Sequence, residues 1–188
     1  MNNKRIYNLN IRNFLGRGDI NINLNPDVNI FAGANGSGKS ALLTVLNRLY
    51  SNTKYDNINM IPDHIDAQNK ILDLKQEAKD KLIASDAGIC RFDIGKLADT
   101  PNHKLSKGEL RLLSILLTAY SQHFNGYGIL LIDEPELSLH IEWQKSLIRY
   151  IKAINPNLQI IIATHSPNII VDGWMDKIFY MDDIITKM

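Results

Sequence analysis

Val28-Asn29-Ile30-Phe31, followed by Gly33-Ala34-Asn35-Gly36-Ser37-Gly38-Lys39-Ser40, is the stretch that decides how this chain folds. The first four residues read as a short buried strand, and the next eight fit G-x-x-x-x-G-K-[ST]. From Ser40 to Tyr50, Leu42, Leu43, Val45, Leu46 and Leu49 recur at helical spacing. Strand, glycine loop and helix in that order make a cradle for phosphate. The glycines permit a tight loop whose N–H groups converge on one anion, and the new helix adds unpaired amides and the positive end of its dipole. Asn35, Gly36, Ser37, Gly38, Lys39, Ser40 and Ala41 are the expected nucleotide-binding residues, with Lys39 reaching the β- and γ-phosphates and the Ser40 hydroxyl a magnesium ligand. A glycine-rich turn with a chance lysine is the competing reading, and the complete pattern in its strand–helix setting argues against it.

Downstream, Gly128-Ile129-Leu130-Leu131-Ile132 is an apolar run suited to a strand buried on both faces, and it ends in Asp133-Glu134-Pro135. Open α/β sheets bind ligands at the carboxyl ends of their strands. Asp133 is therefore expected in the magnesium shell, and Glu134 close enough to orient or deprotonate the attacking water as general base. Neighbouring strand residues point to opposite faces, so both acids reach one site only if the strand ends near Asp133.

The remaining chain gives a coarse map. Ile6–Ile11 and Ile20–Leu24 read as strands separated by the turn Gly16-Arg17-Gly18-Asp19. Residues 51–62 are polar and rich in Asn. A helix is expected over about 63–87, a strand over 89–92, helices over 108–124 and 142–154, and strands over 160–163 and 178–181. This alternation predicts an α/β fold with a mostly parallel core sheet, an N-terminal antiparallel β portion and a small helical insert at about 63–124, all in one domain.

The 188 residues are 45% hydrophobic and 22% charged, which excludes a disordered or collagen-like chain. With 21 basic and 20 acidic residues, no global charge drives binding to nucleic acid or membrane; residues 1–60 alone are basic, seven against three. The lone cysteine, Cys90, precludes an internal disulfide and suits a reducing cytosol. No apolar run approaches the roughly 20 residues of a membrane helix, so a cytoplasmic location without membrane insertion is expected.

Leu105-Ser106-Lys107-Gly108-Glu109 resembles the LSGGE signature of ABC-type ATPases, lying between the glycine loop and the acidic motif as in that class. Asp133-Glu134-Pro135-Glu136-Leu137-Ser138-Leu139-His140 resembles the DEPExxLH segment of the soluble ABC-like group that includes RecF, SMC and OLD-type ATPases, counted with the AAA family. Thr164-His165-Ser166 is similar to its switch-histidine segment, and Leu9–Phe14 to its first strand.

The resemblance implies P-loop ATPase activity with ATP and Mg2+, in a homodimer across two ATP molecules. Ser106 and Gly108 of one copy would close over the triphosphate held by Lys39 of the other, and His165 would contact its γ-phosphate. Arg12, Asn13 and Phe14 touch the base or ribose, or are edge-strand residues. Ser138 and His140 face the dimer partner, or cap a helix. Lys107 adds a cation near phosphate, or points to solvent. The glutamine that links magnesium to the helical region has Gln68 and Gln76 as candidates, or both are surface residues of a helix.

Only 67 positions separate Lys39 from Ser106, which implies a minimal head without a coiled-coil arm. The expected function is an ATP-hydrolysing switch that controls a separately encoded effector, such as a nuclease in antiviral defence or DNA repair, with nucleic acid reached through the partner. A transporter's nucleotide-binding subunit and a non-hydrolysing ATP clamp are the alternatives.

Overall fold

Two sheets organise the protein in the computed structural model, which describes residues 5–51, 58–61, 100–101, 104–123, 128–170 and 173–186. The chain runs β1 (Asn8–Ile11), β2 (Asp19–Asn23), β3 (Val28–Ala32), α1 (Lys39–Ser51) and β4 (Ile58–Ile61). It continues through α2 (Lys107–His123), β5 (Ile129–Asp133), α3 (Ile141–Ile154) and β6 (Gln159–Thr164). A short α4 (Pro167–Ile170), β7 (Ile178–Tyr180), α5 (Met181–Ile184) and β8 (Ile185–Thr186) complete it.

The core sheet has five strands in the order β4-β5-β6-β3-β7, all paired in parallel. Every residue of β3, β5 and β6 is buried, including the polar Asn29, Asp133, Gln159 and Thr164. Alternation then divides the side chains between two cores. Val28, Ile30, Leu130, Ile132, Ile160 and Ile162 pack with Leu112 and Leu116 of α2 and Leu147 and Ile151 of α3. Phe31, Ile129, Leu131, Ile161 and Ala163 face the opposite way, onto Leu42, Leu43 and Leu46 of α1.

The antiparallel sheet, β1-β2-β8, adds Leu9 and Ile20 to that second core. Buried Gln159 stitches the N-terminal segment down, donating to the carbonyls of Ile6 (2.8 Å) and Asn25 (2.7 Å) and accepting from Ile6 N (2.8 Å).

Strand register aligns the functional edge. Ala32 pairs with Thr164, and Asp133 with Ala163, so β3, β6 and β5 release their next residues side by side.

Two strands, β4 and β8, have no counterpart in the sequence reading. The Asn-rich stretch 51–62 contains β4, which pairs along β5 from Ile58↔Ile129 to Ile61↔Ile132. Four residues interrupted by Asn59 carry no periodicity; parallel pairing to a buried neighbour makes the strand. β8 is only two residues long and exists through its pairing with Asp19 and Ile20. Met181, expected in the last strand, instead begins α5. The first strand is shorter than expected, starting at Asn8, and the second is shifted by one residue to Asp19–Asn23. The expected helix at 63–87, the strand at 89–92, Gln68, Gln76 and Cys90 lie outside the described residues.

Candidate active site

The glycine loop joins β3 to α1 as its pattern requires. Gly36 (φ 77°) and Gly38 (φ 101°) take left-handed conformations that a side chain disfavours. Lys39 is buried, with Nζ donating to the carbonyls of Gly33 (2.9 Å) and Ala34 (3.0 Å), so the cation is folded back across the loop it is to serve. Asn35 and Gly36 are exposed at the loop tip and Ala41 is half-buried on the first turn of α1. Ser37 Oγ is buried without a hydrogen-bond partner.

Strand β5 ends at Asp133, and the chain turns at once. Glu134 adopts φ 39° and its N–H donates to Ala163 O (2.9 Å). This left-handed residue breaks the alternation and lets adjacent acids serve one edge of the sheet. Ser40 Oγ donates to Asp133 Oδ1 at 3.0 Å. A hydroxyl and a carboxylate oxygen converging beside a phosphate loop are the hard oxygen donors that magnesium takes, and these two residues fit that ion. Among the described residues there is no cluster of three or more His, Cys, Asp or Glu suited to another metal.

His165 leaves the end of β6 beside them. Its Nδ1 lies 3.8 Å from Glu134 Oε1 and 3.0 Å from Glu136 Oε1. Ser166 Oγ donates to Gln144 Oε1 (2.8 Å), and Gln144 Nε2 donates to Leu139 O (2.8 Å), which ties the histidine loop to α3 and the segment before it.

The signature residues sit elsewhere. Ser106 caps α2: its N–H and hydroxyl donate to Glu109 Oε2 at 2.8 and 2.7 Å, and its Oγ accepts from Glu109 N at 3.3 Å. Those two Ser106 hydrogen bonds hold the Glu109 carboxyl below the usual carboxylate range. A Cβ on Gly108 would lie 2.5 Å from Ser138 O, so the signature turn and the Ser138 segment touch backbone to backbone. Lys107 is exposed. His140 is the N-cap of α3, accepting from Glu142 N at 3.4 Å, while Ser138 is exposed.

Arg12 and Asn13 are exposed, whereas Phe14 is buried under the loop, with Cε1 3.0 Å from where a Gly38 Cβ would sit. Sequence reasoning missed Arg17, which donates to Gly36 O (3.1 Å), and buried Arg111, which donates to Asp133 O (2.7 Å). It also gave no role of its own to Glu136. An acid only three residues beyond Asp133 was the available signal.

Residues 52–172, well over half of the chain, match the family described as "AAA domain, putative AbiEii toxin, Type IV TA system", and residues 5–96 match "AAA ATPase domain". The chain belongs to the first of these families and is a P-loop ATPase domain of the AAA/ABC-like type. It is similar to "Retron Vc95 probable ATPase" of Vibrio cholerae, 36% identical over 39% of this chain and 14% of that protein. It is also similar to Septu protein PtuA of Bacillus thuringiensis, 51% identical over 23% of this chain and 11% of that one. The matches thus span a small part of those relatives' length. In fold it is similar to the crystal structure of a nucleotide-free ATP-binding cassette from an ABC transporter, with a TM-score of 0.55 and 14% identity over 94% of this chain and 85% of that chain. No helix among the described residues is long and apolar enough to cross a membrane.

Proposed function

We propose that this chain binds ATP with Mg2+, hydrolyses it to ADP and phosphate, and acts as a switch on a separately encoded effector. The observation that carries this reading is the 3.0 Å contact between Ser40 Oγ and Asp133 Oδ1, which joins the phosphate loop to the acidic strand end. Ser40 and Asp133 would hold the magnesium, which when bound would supply positive charge to the triphosphate. Lys39 exchanges its two carbonyl partners for phosphate oxygens. Glu134 accepts a proton from water, the water oxygen bonds to the γ-phosphorus, and the bond to the bridging oxygen breaks, leaving ADP. His165 steadies the attacking water beside the γ-phosphate.

Completion of the site in trans is the second part of the proposal. Ser106 spends its hydrogen bonds on Glu109, and Gly108 packs on Ser138. A second copy, docked head to tail, brings its Ser106 and Gly108 over the γ-phosphate held by Lys39. ATP then stabilises the pair and hydrolysis releases it. The likeness to the retron and Septu proteins supports an effector switch, in the setting of defence, over transport.

Mixing Ser106→Arg subunits with Lys39→Ala subunits tests the arrangement. Each alone should be inactive, and the mixed dimer should regain one working site; no recovery at any ratio would contradict it. Copurification with an integral membrane protein would instead favour a transporter subunit, and ATP-driven dimerisation without phosphate release a clamp.

A further inference from the structure

We propose that Glu136 is the positioning residue for His165, an inference that rests on the nucleotide-site reading above. Glu136 lies in the turn Pro135–Leu137, and its side chain is only 6% exposed, against 41% for His165 and 19% for Glu134. One oxygen, Oε1, gathers three groups from the end of β6. It accepts from Thr164 Oγ1 at 2.8 Å and His165 N at 2.8 Å, and lies 3.0 Å from His165 Nδ1. The other oxygen, Oε2, is buried with no partner, so the carboxylate is committed to the histidine segment.

A carboxylate oxygen can only accept, so its 3.0 Å approach assigns the hydrogen to Nδ1 and leaves Nε2 of the neutral ring an acceptor for the attacking water. The same atom fixes the backbone N–H and the ring of one residue, which sets both the position and the rotation of the imidazole. The distances also divide the labour between two acids. At 3.0 Å Glu136 holds the ring, while Glu134, at 3.8 Å, is outside hydrogen-bond reach of Nδ1 and stays available to water. Charge-assisted hydrogen bonds to a carboxylate, here from Thr164 Oγ1 and His165 N, are the strong ones, and orientation held from behind the reacting group is where such groups act on rate.

The test uses Glu136→Met, which fills the same space without an acceptor, and Glu136→Gln, which keeps one. Nitrogen-15 NMR of the imidazoles, with His165 assigned by its loss in His165→Gln, should find Nδ1 protonated in the unmutated protein and the preference lost in Glu136→Met. An unprotonated Nδ1 in the unmutated protein, or an unchanged His165 in Glu136→Met, overturns the proposal. This readout needs no turnover, so it stands apart from any failure of the ATPase reading. In ATPase assays Glu136→Met should lower kcat by about 10²-fold with little change in KM. Glu136→Gln should restore most of that loss. Adding Glu136→Met to His165→Gln should cost no more than about twofold further, because one acts through the other; losses that multiply would overturn the inference.

Discussion

Ser40 Oγ stands 3.0 Å from Asp133 Oδ1, although 93 positions separate them in the chain. The contact exists because β3 and β5 flank β6 in register, so the loop after one and the acid ending the other meet at one edge. Ser40→Ala and Asp133→Asn should each weaken Mg2+-dependent binding of a fluorescent ATP analogue about tenfold or more, while leaving Mg2+-free binding nearly unchanged. Titrations with Mg2+ and with EDTA check this.

Glu134 holds a left-handed backbone at the turn that directly follows Asp133. Glu134→Gln keeps the shape and removes the base. Phosphate release should fall by about 10²- to 10⁴-fold, with ATP affinity altered little. Equal turnover in the variant would remove Glu134 from the base role.

Gly108 is a helical glycine whose replacement should act against the usual trend. In most helix interiors Gly→Ala stabilises by about 1 kcal/mol. Here the added Cβ meets Ser138 O at 2.5 Å, backbone against backbone. Gly108→Ala should therefore destabilise by roughly 1–3 kcal/mol and lower Tm in a thermal melt.

Acid should loosen the start of α2. The Glu109 carboxyl is held low by the Ser106 hydroxyl and amide, so its contribution is present above the ordinary carboxylate value and is lost as pH falls through the lowered one. In denaturant melts, the stability gap between the unmutated protein and Glu109→Gln should narrow as pH falls from neutral to below the ordinary carboxylate range.

The parts of this architecture that were legible in the sequence are those where one physical requirement dominates. The runs Ile129–Ile132 and Ile160–Ala163 have no polar face and can only be buried strands, and the glycine loop after Val28–Phe31 dictates its own geometry. β4 was not legible, because Asn59 breaks its pattern and its existence depends on pairing with β5. The same holds in the site. Asp133, Glu134 and Lys39 declare themselves by local spacing, whereas the grip of Glu136 on His165 joins residues 29 positions apart through a hydrogen bond that only the register of β5 and β6 creates.

The central claim, that ATP is shared between two copies, is tested most directly by the mass of Glu134→Gln in solution with and without ATP and Mg2+. Light scattering after size exclusion should give one subunit without nucleotide and two with it, and Lys39→Ala should abolish the change. A chain that binds ATP at saturation and still elutes with the mass of a single subunit would contradict the account.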